Sequence, residues 1–172
     1  WFYPQREGRQ AIFAFEADHH LGIDFHQLGT RNINVWASSN GTSWNIIDAD
    51  SGGDGIGSIS IELNTWNHIA FVRNGDRWMS FVNGVLDVDV TNSATVVSRE
   101  EEIRIGIWGG NTDPNLDAYI DNMHISKGVA RYTENFTPDY NVFDYDYNDE
   151  TNLNNEENSD NISNDLFDDD DY

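Results

Sequence analysis

Hydrolysis of a glycosidic bond with retention needs two carboxyl groups about 5 Å apart, one attacking and one donating a proton. On a β-strand, residues two apart share a face, so acids at alternate positions are the pattern to find. Around Asp24 the alternate positions hold Gly22 and His26, which leaves one carboxylate on that stretch. Glu16 and Asp18 are also two apart, but Asp18 leads into His19-His20 in a turn-like context. Glu100, Glu101 and Glu102 form a run in a polar loop, which reads as solvated charge. The sequence contains no Gly-x-Ser-x-Gly elbow and no phosphate-cradling glycine loop leading into a helix. These residues predict a domain that is not an enzyme.

Binding chemistry is better represented. The chain has six tryptophans, and three of them, Trp36, Trp44 and Trp108, border polar turns such as Ser38-Ser39-Asn40-Gly41 and Gly109-Gly110-Asn111. Sugar rings stack on exposed aromatic faces while amides bond their hydroxyls. Trp36, Trp44, Trp108 and Asn111 are therefore the candidate glycan contacts. The alternative is that the fold buries these rings, since each hides a large apolar area. Trp66 and Trp78 are expected in the core.

Calcium takes several oxygens from a flexible loop. Asp113, Asn115 and Asp117 could supply them, as could Asp48, Asp50 and Asp54 in the run 48–55. The second run begins like an EF-hand loop but has Ile59 where the twelfth position needs Glu. Both runs are equally explained by ordinary turn chemistry, which favours Asp, Asn, Gly and Pro. His19, His20, His26, His68 and His124 show no metal-binding spacing. His68 and His124 are expected to be buried and hydrogen-bonded. The glycosylation sequons at Asn40, Asn135 and Asn161 are no more frequent than this composition produces by chance.

Strands must hold these side chains. β-branched and aromatic runs at 10–16, 22–26, 32–37, 58–63, 66–73, 77–82, 85–90, 103–108 and 118–125 suit a pleated, half-buried surface. Asn74-Gly75 and Asn83-Gly84 suit type I′ hairpin turns, whose central residues need positive φ, and predict a meander over 66–90. The run 66–73 is apolar on both faces, which places it centrally; Asp87 and Asp89 alternate with Leu86, Val88 and Val90, as a strand with one wet face does. The expected architecture is all-β, with two stacked antiparallel sheets.

Charge limits the partners. Against nine Lys and Arg stand 31 Asp and Glu, a net charge of −22 over 172 residues. That excludes nucleic acid and anionic membrane surfaces, whose affinity comes from a basic footprint. No run reaches the roughly 18 apolar residues of a membrane-spanning helix. With no cysteine there is neither a disulfide framework nor a thiolate site. Residues 139–172 hold 13 acids, eight Asn and no base, a composition that predicts an acidic, extended or disordered tail. Such an arm could dock on a basic partner or load calcium.

The runs Trp66-Asn67-His68-Ile69-Ala70-Phe71-Val72-Arg73-Asn74-Gly75 and Phe81-Val82-Asn83-Gly84 resemble laminin-G-like, concanavalin A-like jelly-roll domains. The segment 118–133, ending Gly128-Val129-Ala130-Arg131-Tyr132-Thr133, with Asn135-Phe136-Thr137-Pro138 after it, resembles the closing strand of phage and other viral members. The resemblance covers 1–138 and implies a β-sandwich jelly roll lacking its first strands. Laminarinase-like hydrolases of that fold carry two Glu around a central Asp on one strand; Gly22 and His26 depart from that pattern. The resemblance thus implies a non-catalytic module of a virion protein. It would either recognise a cell-surface glycan or contact other virion subunits, in a virion or extracellular setting; a laminarinase-like glycoside hydrolase is the third alternative that the resemblance leaves.

Overall fold

The computed structural model describes residues 1–15, 19–25, 29–50, 52–98, 102–108 and 116–140. Every regular element among them is a strand: β1 (Phe2–Pro4), β2 (Gln10–Phe15), β3 (Leu21–Phe25), β4 (Ile33–Ala37), β5 (Ile69–Asn74), β6 (Arg77–Val82), β7 (Val85–Thr91), β8 (Ile103–Ile105) and β9 (Ala118–Ile120). The chain divides into two units, Trp1–Pro138 and Asp139–Tyr172, and all nine strands belong to the first. Residues 141–172, the bulk of the acidic run, lie outside the described residues.

One layer is the antiparallel sheet β4-β3-β2-β8. In the other, β5-β6-β7 form the meander and β1 pairs with β9. Phe2 and Asn67 exchange backbone hydrogen bonds of 2.8 Å, which ties β1 to the chain entering β5. The second layer therefore runs β9-β1-β5-β6-β7. Between the layers, Phe25, Ile33, Val35 and Ala37 meet Phe2, Trp78, Val82 and Val88 in a closed apolar core. Burial of each such large side chain contributes about 1.5–3 kcal/mol.

The two hairpins differ. Val82 pairs with Val85, so Asn83 and Gly84 are the turn, at φ 51° and 79° as a type I′ turn requires. In the other hairpin Asn74 pairs with Arg77. The turn residues are Gly75 and Asp76, one place later than expected, and only Gly75 has positive φ, at 62°. A glycine at the first central position fits the type II′ pattern instead.

Other expectations are corrected. Residues 58–63 form no strand; Asp87 instead accepts bonds from the Ser58 and Ile59 N–H groups at 2.7 and 2.9 Å, tying this stretch to β7 irregularly. The strand buried on both faces is β6, not β5: its Trp78 and Val82 pack into the core and its Phe81 lies under Tyr132 and Phe136. Trp66 is half-buried, edge-on to Tyr3, rather than in the core. His124 is exposed, since β9 ends at Ile120.

β6 is covered outside by the segment that follows β9. Tyr132 and Phe136 stack on each other with centroids 3.6 Å apart, and both rings contact the buried Phe81. Phe136 donates its N–H to the Gly84 carbonyl at 2.9 Å, and Leu86 donates to Asn135 Oδ1 at 2.8 Å. The Asn135 side chain thus stands in for a missing strand partner of β7. Asn135→Ala is expected to lose about 1 kcal/mol, the net worth of one such bond, by urea denaturation. Asn135→Asp retains the acceptor and should retain most of that stability.

Candidate functional site

Side chains along a strand alternate between its two faces. Phe25, Ile33, Val35 and Ala37 face the core, with Leu21 and Ile23 packed against it. Gly22, Asp24, Asn34 and Trp36 therefore share the outer face of the first sheet. The register sets Gly22 opposite Trp36 and Asp24 opposite Asn34. From β2, Ala11 lies opposite Asp24 and Ala14 opposite Gly22. These small residues leave space for a second apolar cluster: Ala11, Ala14, Trp36, Ala49 and Trp108, with Trp44 and Ile56 packed on it.

The structure brings all three candidate tryptophans together. Ring centroids lie 5.1 Å apart for Trp36–Trp44, 6.1 Å for Trp36–Trp108 and 5.9 Å for Trp44–Trp108. Their exposure differs from that of three open stacking faces. Trp36 is 2 % exposed and Trp108 is 7 %, because each packs on the other and on the alanines beneath. Trp44 is half-buried at the outer end of the cluster. His19 lies against it at 4.9 Å, held at φ 57°. Asn111 lies outside the described residues.

Gly22 has a steric reason. A Cβ there would run into the Trp108 ring, so the position that a second strand carboxylate would need is filled by indole. Asp24 is fully buried, accepting from Arg9 Nε at 3.1 Å and Asn34 Nδ2 at 2.9 Å. Burial pushes its carboxyl up to about 6, against the opposing pull of Asn34 and Arg9. The Arg9 guanidinium also sits 5.4 Å from the centre of the Trp108 ring, so it bridges the carboxylate and the aromatic cluster. Arg9, Asn34 and His19 were not among the candidates. For Asn34 a signal existed: it alternates with Trp36 on the same strand. Arg9 and His19 lie outside the strands and become neighbours only through tertiary packing.

The described carboxylates among the other candidates are engaged elsewhere. Asp117 is 3.3 Å from Arg6 Nε, and its backbone N–H donates to Gln10 Oε1 at 2.7 Å. Asp113 and Asn115 lie outside the described residues, as do Glu16, Asp18, His26, Glu100 and Glu101. In the other acidic loop, Asp48 Oδ1 accepts from the Asp50 N–H at 2.8 Å and Asp54 Oδ1 from the Asp48 N–H at 3.1 Å. Such bonds are turn chemistry. Among the described residues no three acidic or imidazole side chains converge on one point. No helix among them is long and apolar enough to cross a membrane. His68, ringed by Trp1, Tyr132 and Phe136, is lowered to about 4, first by burial and then by the nearby amino terminus.

The Laminin_G_3 family, described as the concanavalin A-like lectin/glucanases superfamily, matches residues 1–134. No curated protein and no solved structure matches the chain. An antiparallel sandwich, closed by the segment that covers β6 and matched over most of its length, places this chain in the concanavalin A-like lectin/glucanase superfamily.

Proposed function

We propose that residues 1–138 are a non-catalytic carbohydrate-binding module in which Trp44 and His19 form the stacking platform. The observation that carries this reading is the half-buried Trp44, backed by two buried indoles and flanked by a polar loop. That loop is preorganised. Ser39 and Asn45 exchange two bonds of 2.8 Å, and Asn40 Oδ1 accepts from the Thr42 and Ser43 N–H groups at 2.9 and 3.0 Å. Rigid polar groups beside an aromatic face bind hydroxyls at low entropic cost. Trp36 and Trp108 then back Trp44, and their covered ring faces are not stacking surfaces.

Two observations support the absence of catalysis: Trp108 fills the space above Gly22, and Asp24 is the one carboxylate on β3. The resemblance of residues 118–133 to viral closing strands supports a virion or extracellular setting. A purely structural role between virion subunits is the second reading, favoured by the exposed Ile103 and Ile105 on edge strand β8 and by Ile125 and Val129.

Trp44→Ala tests the first reading. A stacked aromatic contributes on the order of 1 kcal/mol, so affinity for any glycan bound on an array should fall several-fold. Melting temperature should move little. Unchanged affinity would remove Trp44 from the site, and turnover of a polysaccharide would overturn the non-catalytic reading.

A further inference from the structure

Asn34 and Trp36 sit two apart on β4, on the outer face they share with Asp24. Asn34 is 1 % exposed, as deeply buried as Trp36. Its amide N–H is spent on Asp24 Oδ1, and its carbonyl oxygen finds no donor in the protein. The Trp36 indole N–H finds no acceptor, although it lies near enough to the Asp24 carboxylate to favour the charged form. A buried acceptor without a donor and a buried indole N–H with no hydrogen bond of good geometry, turned towards the Asp24 carboxylate, thus lie two residues apart on one face of β4. Buried polar atoms are rarely left in that state, because the desolvation cost is then uncompensated.

The chemistry of the missing group follows from the inventory of the site. It must accept from Trp36 Nε1 and donate to Asn34 Oδ1 or to Asp24. An ionised carboxylate only accepts and an ammonium only donates; a hydroxyl does both. We propose that Trp36, Asn34 and Asp24 form a recognition site for one hydroxyl group, at the floor of the tryptophan cluster. The hydroxyl can come from a resident water or from a saccharide, and for the second source the proposal rests on the glycan-binding reading. In either case the oxygen accepts a hydrogen bond from the indole N–H, and its O–H donates one to Asn34 Oδ1 or to the Asp24 carboxylate. Arg9 donates to the other carboxylate oxygen, Asp24 Oδ2, and holds that carboxylate in place.

The test uses the ¹⁵N-labelled chain, with the Trp36 indole resonance identified by its loss in Trp36→Phe. Magnetisation transfer from water should give that resonance a cross-peak characteristic of a long-lived bound water. Titration with glucose, galactose, mannose and their β-linked disaccharides separates the sources. A cross-peak that persists through every titration assigns the site to water; one that disappears as the indole resonance shifts assigns it to the saccharide. Should Trp36→Phe fail to fold, a crystal structure of the unmodified chain answers the same question. An oxygen within hydrogen-bond distance of both Trp36 Nε1 and Asn34 Oδ1 supports the site. A dry contact there, or an indole with neither a water cross-peak nor a saccharide shift, overturns it. Trp44→Ala should leave the water cross-peak intact, so loss of glycan binding at the rim and loss of the hydroxyl site are separately visible.

Discussion

Trp36→Ala is expected to cost about 3–5 kcal/mol of stability, the range for removing a large buried aromatic. Trp36 lies 2 % exposed between Trp44, Trp108 and the alanines of β2, and nothing can collapse into the space it leaves without moving those rings. The loss takes a large part of the 5–15 kcal/mol that holds a typical domain together. Urea denaturation should show a much lower midpoint, and near-ultraviolet circular dichroism should lose the signal of coupled indoles. Trp44→Ala removes a half-buried ring of the same type and should cost far less. If both variants unfold at the same denaturant concentration as the unmodified chain, the cluster is not a second core.

Asp24→Asn is expected to raise stability at pH 7 by up to about 3 kcal/mol. The folded carboxyl titrates near 6 and the unfolded one near 3.8, and each pH unit of difference is worth about 1.4 kcal/mol. Because the folded value is the higher, the native state binds the proton first, and its stability rises as pH falls from 6 towards 3.8. At pH 7 the buried charge is a net cost, and the amide removes it, at the expense of turning its NH2 towards one of the two donors, Arg9 Nε or Asn34 Nδ2. Arg9 loses its ion-pair partner in the variant but is 32 % exposed, so water can solvate it. His68 runs the other way. Its folded value near 4 lies below the unfolded 6.5, so its contribution is complete above 6.5 and is lost as pH falls towards 4. In the unmodified chain the two trends oppose each other between pH 6 and 4. In Asp24→Asn the losses at His68 and at the Trp1 amino group, which burial also lowers, remain, and stability should fall steadily with acidification. Denaturation midpoints at pH 7, 6, 5 and 4 check both slopes. A variant less stable at pH 7 than the unmodified chain would show that Arg9 depends on the charge.

How much was legible in the sequence follows the range of the interactions. Gly84 and Asn83 marked one hairpin correctly because a type I′ turn is specified by the two residues inside it. At Asn74-Gly75 the same dipeptide misled by one place, since the register of β5 on β6 puts Asn74 in the ladder, paired with Arg77. Residues 58–63 have strand composition but no strand: Asp87 takes the Ser58 and Ile59 N–H groups from a distance, and Ile61 donates to the Arg31 carbonyl instead. Local pattern cannot see such a competitor.

The alternation of apolar and polar residues, with turn glycines between, determined by itself that this chain is an antiparallel sandwich, and the lone Asp24 flanked by Gly22 and His26 made paired-carboxylate chemistry there improbable from the outset. Only the tertiary structure decided which tryptophans are buried and which reaches the surface. Trp36, Trp44 and Trp108 look alike in sequence, each beside a polar turn. Whether an indole face meets water depends on what the neighbouring strands place over it. That is set by cross-strand register and by small residues such as Gly22, Ala11 and Ala14, which lie far from Trp108 in the chain and directly beneath it in the fold.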